Sequence, residues 1–477
     1  MTLEVLLKRG LLVMVTAAIT LLAWRAYDSE KGPPLASWHT FVPDEMSVTQ
    51  LNRANWAGWL AAEANAFDQV REHVSADLPE HTPRINRYRS DSPVYPAHFT
   101  QDWNRSYELF PDGPPKGVVV LLHGLTDSPY SLRHIAQRYR DLGYLAVGLR
   151  LPGHGTVPGA LTRVQWQDWL AATRLAVREA RLRVPAPAPL HIVGFSTGGA
   201  LAVKYALDSL ADPSLARADQ LVLLSPMIGV AGSARFAGIA GWPAILPAFA
   251  KAAWLSRLPE FNPFKYNSFP VNAARQSWLL TDVLQRQLSA KGARGLPPIL
   301  AFQSLADYTV STPAVINNLF NRLPANGSEL VLYDLNRADD YEGLLDEDGA
   351  LSIEHLLPAT PRNYRTTVIS NASTHDSTMN IKDTPAQSTH ELTQPLGLAY
   401  PADIFSLSHI ALPFPVTDGL YGQQPSPAEH FGVHLGTLAA RGERGVLVVP
   451  LDALMRLTAN PFYPYQLHRI EAHLPTP

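Results

Sequence analysis

Five short apolar runs, each closing on glycine or a polar residue, recur between residues 117 and 307: GVVVLLHG, YLAVGLRLPGHG, LHIVGFSTGG, DQLVLLSPM and PPILAFQSLAD. Between them lie stretches with helical spacing, such as SLRHIAQRYRDLG and VQWQDWLAATRLAVREARL. Buried strands that alternate with helices predict an α/β fold built on a mostly parallel, doubly wound sheet. In such a sheet, function gathers at the carboxyl ends of the strands.

Two interruptions break this rhythm. About seventy residues separate SPM (225–227) from PPIL (297–300), far more than a connection needs, so 228–292 reads as an insertion. A second insertion, about 337–400, opens acidic in RADDYEGLLDEDG and becomes rich in serine, threonine and proline. The chain has 477 residues, beyond the size at which one core keeps growing, which leaves room for both. A balance of 39 basic against 42 acidic residues leaves a net charge of −3, so nothing in it favours nucleic acid. With no cysteine, disulfides, thiol nucleophiles and thiolate metal sites are excluded.

At the N-terminus, Lys8 and Arg9 precede an uncharged run from Gly10 to Trp24, closed by Arg25. Joined to Val5, Leu6 and Leu7, the run spans a bilayer if the two cations snorkel. Residues 1–25 therefore read as an uncleaved signal-anchor, with a cleaved secretory signal as the alternative. Basic residues before the span put the body on the outer side, the periplasm if the chain is bacterial. Residues 26–105 follow as a helical preamble, in which Leu51, Trp56, Trp59, Leu60 and Phe67 recur at helical spacing after a cap at Ser47. The body then runs from 106 to 477.

Within LHIVGFSTGG, Ser196 stands between a strand-like run and the helix-like GALAVKYALD. The bare G-x-S-x-G pattern arises by chance, but on a strand-to-helix turn it is the arrangement of a nucleophile elbow. Gly194 and Gly198 let the backbone turn tightly there, and the following helix points its N-terminus and the N–H of Thr197 at an anion beside the serine. A serine hydroxyl needs a base and a second oxyanion donor. The turn after GVVVLLHG brings the N–H of Leu125 toward the same point, while His123 reads as a structural strand-end imidazole.

For the acid, Asp307 closes the strand ILAFQSLAD, ahead of a helix expected near Thr312. The base must lie further on, where His355, His375, His390, His409, His430, His434, His468 and His473 compete. His409, embedded among apolar residues in ADIFSLSHIALPFP, is the first candidate. His375, in TTVISNASTHDSTMN beside a charged loop, is the second.

HGLTDSPYSLRHIAQRYRDLGYLAVGLRLPGHGT, GFSTGG and SLADYTV together resemble the α/β-hydrolase superfamily, in its bacterial carboxylesterase and monoacylglycerol-lipase branch. The resemblance covers about 106–320 closely and FSLSHIALPFP more loosely. It implies that Ser196 attacks an ester, His409 shuttles the proton, Asp307 holds the imidazole and the Leu125 and Thr197 N–H groups form the oxyanion hole. It further implies that 228–292 is a cap over the site. The chain departs from compact members in its anchor, its preamble and the hundred or so residues between acid and histidine.

Trp242, Phe249, Trp254, Phe261, Phe264, Tyr266 and Phe269 make the cap apolar, suited to an acyl chain or a lipid surface. The expectation is thus a membrane-anchored serine hydrolase of esters with an apolar acyl part, needing no cofactor and no metal. Acyl transfer, thioester cleavage or lysophospholipase action would use the same residues. A silent hydrolase fold serving as a tethered binding protein is the alternative of another class.

Overall fold

A computed structural model describes residues 3–229, 241–307, 309–336, 356–373, 376–401, 404, 407–436, 439–440 and 455–475. Its centre is a ten-stranded sheet. The strands are β1 (Tyr107–Leu109), β2 (Gly117–Leu122), β3 (Tyr144–Leu149), β4 (Leu190–Phe195) and β5 (Gln220–Leu224). A small antiparallel pair, β6 (Trp254–Ser256) and β7 (Phe269–Pro270), belongs to the first insertion. The sheet then continues with β8 (Ile299–Ser304), β9 (Glu329–Asp334), β10 (Arg365–Asn371), β11 (Thr378–Thr384) and β12 (Leu392–Ala399). Its order is β1-β3-β2-β4-β5-β8-β9-β10-β11-β12.

The seven strands from β3 to β10 in that order are parallel, and antiparallel strands close both edges. This is the mostly parallel sheet expected from the alternation of runs. Along β2, Val118, Val120 and Leu122 enter the core on one face while Val119 and Leu121 enter the core on the other. A strand buried on both faces has no polar side to show, which is why these runs are continuously apolar.

The two outlying segments are knit into this body. The helix Trp56–Val70 buries Trp56, Trp59, Glu63, Ala66 and Val70, one stripe at helical spacing. Glu63 is the charge on that stripe, and it finds Arg150 at 3.0 Å and the hydroxyl and N–H of Ser106. Arg150 also makes a two-pronged pair with Glu45 at 2.6 and 2.9 Å, so the preamble clamps the loop after β3. The stretch 337–400 is more than a loop: its described part supplies β10, β11 and β12.

The C-terminal helix Tyr463–Ala472 is fastened through Glu329 at the start of β9, which accepts from Arg469 Nε at 3.0 Å and pairs with His473 at 3.0 Å. Burial alone would raise the Glu329 pKa. The hydrogen bonds and charges of His473 and Arg469 outweigh it and hold the carboxyl down to about 2. A depressed carboxylate stabilises the fold above its ordinary value and loses that contribution as pH falls toward the folded value. Glu329→Gln should therefore cost roughly 1–3 kcal/mol at pH 7, with the difference in urea midpoint from the parent shrinking below pH 4.5 and vanishing near pH 2. A difference that stayed constant from pH 7 to pH 2 would remove the ion pair as its cause.

The helix Leu3–Glu30 is long and apolar enough to cross a membrane. Of the first insertion, residues 228–229 and 241–292 are described; they contain two stretches of 3-10 helix, the β6–β7 pair and the helix Val271–Lys291.

Candidate active site

Ser196 caps the helix Thr197–Ala211 directly after β4, with φ 52° and ψ −114°. A non-glycine residue in that region carries backbone strain of about 1–3 kcal/mol, tolerated only where the surroundings hold it. Here they do. The Ser196 N–H donates to Leu224 O at 3.0 Å, and its carbonyl accepts from Gly199 at 2.9 Å and Met227 at 3.0 Å. A Cβ on Gly198 would fall 1.9 Å from Leu122 O, and one on Gly194 would fall 2.5 Å from Gly198 O, so the turn closes only with glycine at both positions.

The loop after β2 lies against this turn. Gly124 is so close that a Cβ on it would sit 3.4 Å from the Cβ of Ser196. Leu125 follows, partly buried, and Thr197 is fully buried. Among the described residues, the backbone N–H groups of Leu125 and Thr197 have no acceptor, which leaves two donors beside the serine. The charge of the helix N-terminus adds to their pull on an anion.

His123 does not join them. Its Nε2 accepts from the Leu151 N–H at 3.0 Å, so Nδ1 carries the proton and donates to Gly124 O at 2.8 Å. Burial, with His154 nearby, pushes its pKa well below the usual value and keeps the ring neutral. This ring ties the ends of β2 and β3 together, the structural part expected for it.

Asp307 stands at the end of the segment that follows β8 and is buried. Its Oδ1 accepts from the N–H groups of Thr309 and Val310, both at 3.0 Å, and its Oδ2 from Gln303 Nε2 at 3.2 Å. The helix begins at Thr312, as the spacing predicted. These donors fix the direction of the carboxylate. Gln303, inside β8, is a positioning residue that sequence reasoning passed over. A polar side chain in a strand with six buried positions is the signal that would have marked it.

His409 opens a short 3-10 turn, His409–Ala411, capped by the Ser408 hydroxyl. Its Nδ1 lies 3.7 Å from Asp307 Oδ1. Its ring centroid is 6.1 Å from that of Phe195, the residue before Ser196. The long detour between acid and histidine is brought back by Asn336, just past β9. That side chain donates to Pro401 O at 2.8 Å and Ile404 O at 2.6 Å and accepts from Asn371 Nδ2 at 2.8 Å, while the Asn336 backbone N–H donates to Asn371 Oδ1 at 2.7 Å, at the end of β10.

His375 and His355 lie outside the described residues. Of the other competing histidines, His390, His430, His434 and His468 are exposed, and His473 is bound to Glu329. The acid therefore has one described histidine within ion-pair range.

The cap aromatics divide. Trp254, Phe264 and Tyr266 are buried packing residues, Phe264 stacking on Tyr130 at 4.2 Å and Tyr266 donating to Gly153 O at 3.1 Å. Phe249, Phe261 and Phe269 are partly buried, and Trp242 is exposed. Sequence spacing carries no sign of which is which, because the partners come from elsewhere: the loops after β2 and β3 for Phe264 and Tyr266, and His39 of the preamble for Trp254.

Residues 113–336 match the model of a hydrolase family described as serine aminopeptidase, S33. A thermostable monoacylglycerol lipase of Bacillus sp. (strain H-257) is 26% identical over 254 residues, covering 52% of this chain and 92% of that protein. A monoacylglycerol lipase of Mycolicibacterium smegmatis is 32% identical over 96 residues, 20% of this chain and 34% of that protein. Among solved structures, one of the metagenome-derived lipolytic enzymes LipS and LipT aligns at 22% identity and a TM-score of 0.40, covering 53% of this chain and 95% of that one.

Proposed function

We propose that the chain, whose residues 113–336 match a hydrolase family, is an α/β serine hydrolase of carboxylic esters with an apolar acyl part, acting on lipid esters. The observation that carries the reading is the strained Ser196 turn with two unengaged N–H donors beside it and an acid–histidine pair alongside. A binding protein has no need of a strained serine, and strain is kept where it serves chemistry.

In the proposed reaction Ser196 Oγ attacks the ester carbonyl carbon while His409 Nε2 takes its proton. The carbonyl oxygen becomes an oxyanion, and the N–H groups of Leu125 and Thr197 hold it through two hydrogen bonds that strengthen as charge develops. The tetrahedral adduct collapses as His409 returns the proton to the leaving alcohol, giving an acyl-serine. Water then attacks that acyl carbon as His409 takes the water's proton, and collapse breaks the bond to Ser196 Oγ, which receives that proton from His409 as the acid leaves. Asp307 keeps the imidazole oriented and stabilises its protonated form. The separation of 3.7 Å is longer than a hydrogen bond, and such contacts tighten when substrate fills the site.

Turnover of a matched panel tests this function: a monoacylglycerol, a p-nitrophenyl ester, an acyl thioester and an aminoacyl anilide. We expect kcat/KM for the oxygen esters to exceed that for the anilide by at least about 10²-fold, since the poorer amine leaving group raises the barrier by a few kcal/mol. Anilide cleavage as fast as ester cleavage would overturn the ester assignment. Adding glycerol as an acyl acceptor separates hydrolysis from transfer, with free fatty acid the expected main product.

A further inference from the structure

The helix Leu3–Glu30 does not stand clear of the body along its whole length. Residues 7–21 are all exposed, whereas Leu22, Arg25, Ala26 and Ser29 form a less exposed stripe at helical spacing. That stripe rests on the cap. Arg25 Nη2 donates to Trp254 O at 2.6 Å, Lys251 pairs with Glu30 at 3.1 Å, and Arg257 donates to Ser29 O at 2.8 Å and Pro33 O at 3.0 Å. At Gly32 the chain lies so close to this arginine that a Cβ would fall 2.2 Å from its Nη2.

We propose that this helix is a retained membrane anchor whose last turns dock on the cap and hold the cap's exposed apolar rim, Ile245 and Leu246, in the surface of a lipid bilayer. Length is the first argument. The part clear of the cap, residues 3–21, is about 28 Å long at 1.5 Å per residue, close to the roughly 30 Å hydrocarbon thickness of a bilayer. The docked turns therefore begin where the hydrocarbon ends.

The chemistry at that level is interfacial. Trp24 and Tyr27 are exposed on the helix, as aromatic residues are at a membrane boundary, and Lys31 lies over the Tyr27 ring. The rim of the cap that touches the helix exposes Ile245 at 79% and Leu246 at 59%. Exposed apolar groups joined to an apolar helix form one continuous surface, and a bilayer satisfies all of it without a second protein. A lipid ester lying in that bilayer then meets the cap without crossing bulk water. The retained helix follows from the same contacts, because removing it would take from Trp254 O, Lys251 and Arg257 of the cap their partners Arg25, Glu30 and Ser29.

The absence of cysteine makes the test clean. The full chain carrying Ile245→Cys, labelled with an environment-sensitive dye, is placed in phosphatidylcholine–phosphatidylglycerol nanodiscs containing doxyl lipid. A Leu392→Cys label, on the exposed edge strand β12, is the control. We expect at least twofold stronger quenching at Ile245 than at Leu392, and intact mass of the membrane-fraction protein that includes residues 3–30. In parallel, Ile245→Ser/Leu246→Ser should slow turnover of vesicle-borne monoacylglycerol about tenfold while leaving a soluble short-chain p-nitrophenyl ester unchanged. That soluble arm reports on ester hydrolysis by itself, so no turnover in the parent would count against the proposed function, whereas its loss in the variant alone would count against the membrane surface. Equal quenching at the two labels, a mature chain lacking residues 3–25, or cross-linking of Ile245 cysteines between copies in the disc would each overturn the proposal.

Discussion

Ser196→Ala is expected to lower kcat for p-nitrophenyl esters by about 10⁴-fold or more and to remove labelling by a fluorophosphonate. A loss of that size is about 5.5 kcal/mol of barrier, far beyond what a packing change at a small side chain produces. It arises because the nucleophile is absent while the oxyanion donors and the cap remain. Some turnover above water should persist, since the Leu125 and Thr197 N–H groups still polarise the carbonyl. The substitution removes one oxygen at a turn already held by Leu224, Met227 and Gly199, so circular dichroism and the melting temperature should stay near the parent values. Unchanged labelling in this variant, with the adduct mapped elsewhere, would sink the mechanism.

The second large effect distinguishes two histidines. His409→Ala should reduce kcat by about 10³–10⁴-fold, because the serine loses its base and the leaving alcohol its acid. Asp307→Asn should cost about 10²–10⁴-fold, the range set by how firmly the amide still orients the ring. Without a carboxylate, the Nδ1 proton loses its acceptor and the imidazolium its counter-charge. His375→Ala should leave kcat within about twofold, because the proposed reaction assigns the base to His409. The contrast matters more than either value. Retained activity in His409→Ala together with its loss in His375→Ala would transfer the base to the other histidine.

How much of this was legible before the fold is best seen residue by residue. The elbow was readable because its causes are local: a buried strand, a glycine on each side of Ser196 and a helix-forming run behind it all act within a dozen residues. Asp307 was readable for the same reason, as the end of a strand-like run. Glu63 was half readable. A carboxylate on the stripe Trp56, Trp59, Ala66 and Val70 announces that it needs a buried partner, but its identity, Arg150, lies 87 residues away.

Other features had no local cause. Strands β10 to β12 lie in a stretch whose length and composition mark it only as an insertion, and their pairing depends on an edge supplied by β9. Asn336 is an ordinary turn residue in the sequence, yet its side chain fastens both β10 and the return of the chain at Pro401 and Ile404. Packing likewise decided which cap aromatics are buried and which part of the N-terminal helix leaves solvent, because each depends on a surface brought in from elsewhere.

By itself the sequence determined the alternating α/β layers, the serine turn with its glycines, the acid at a strand end and an apolar first helix, since period, propensity and backbone sterics act over short separations. Only the tertiary structure decided that His409 meets Asp307 across 102 residues, that the preamble clamps the loop after β3, and that the first helix rests on the cap. Those pairings depend on closing long loops, whose cost changes little with length, so spacing alone does not choose among distant partners.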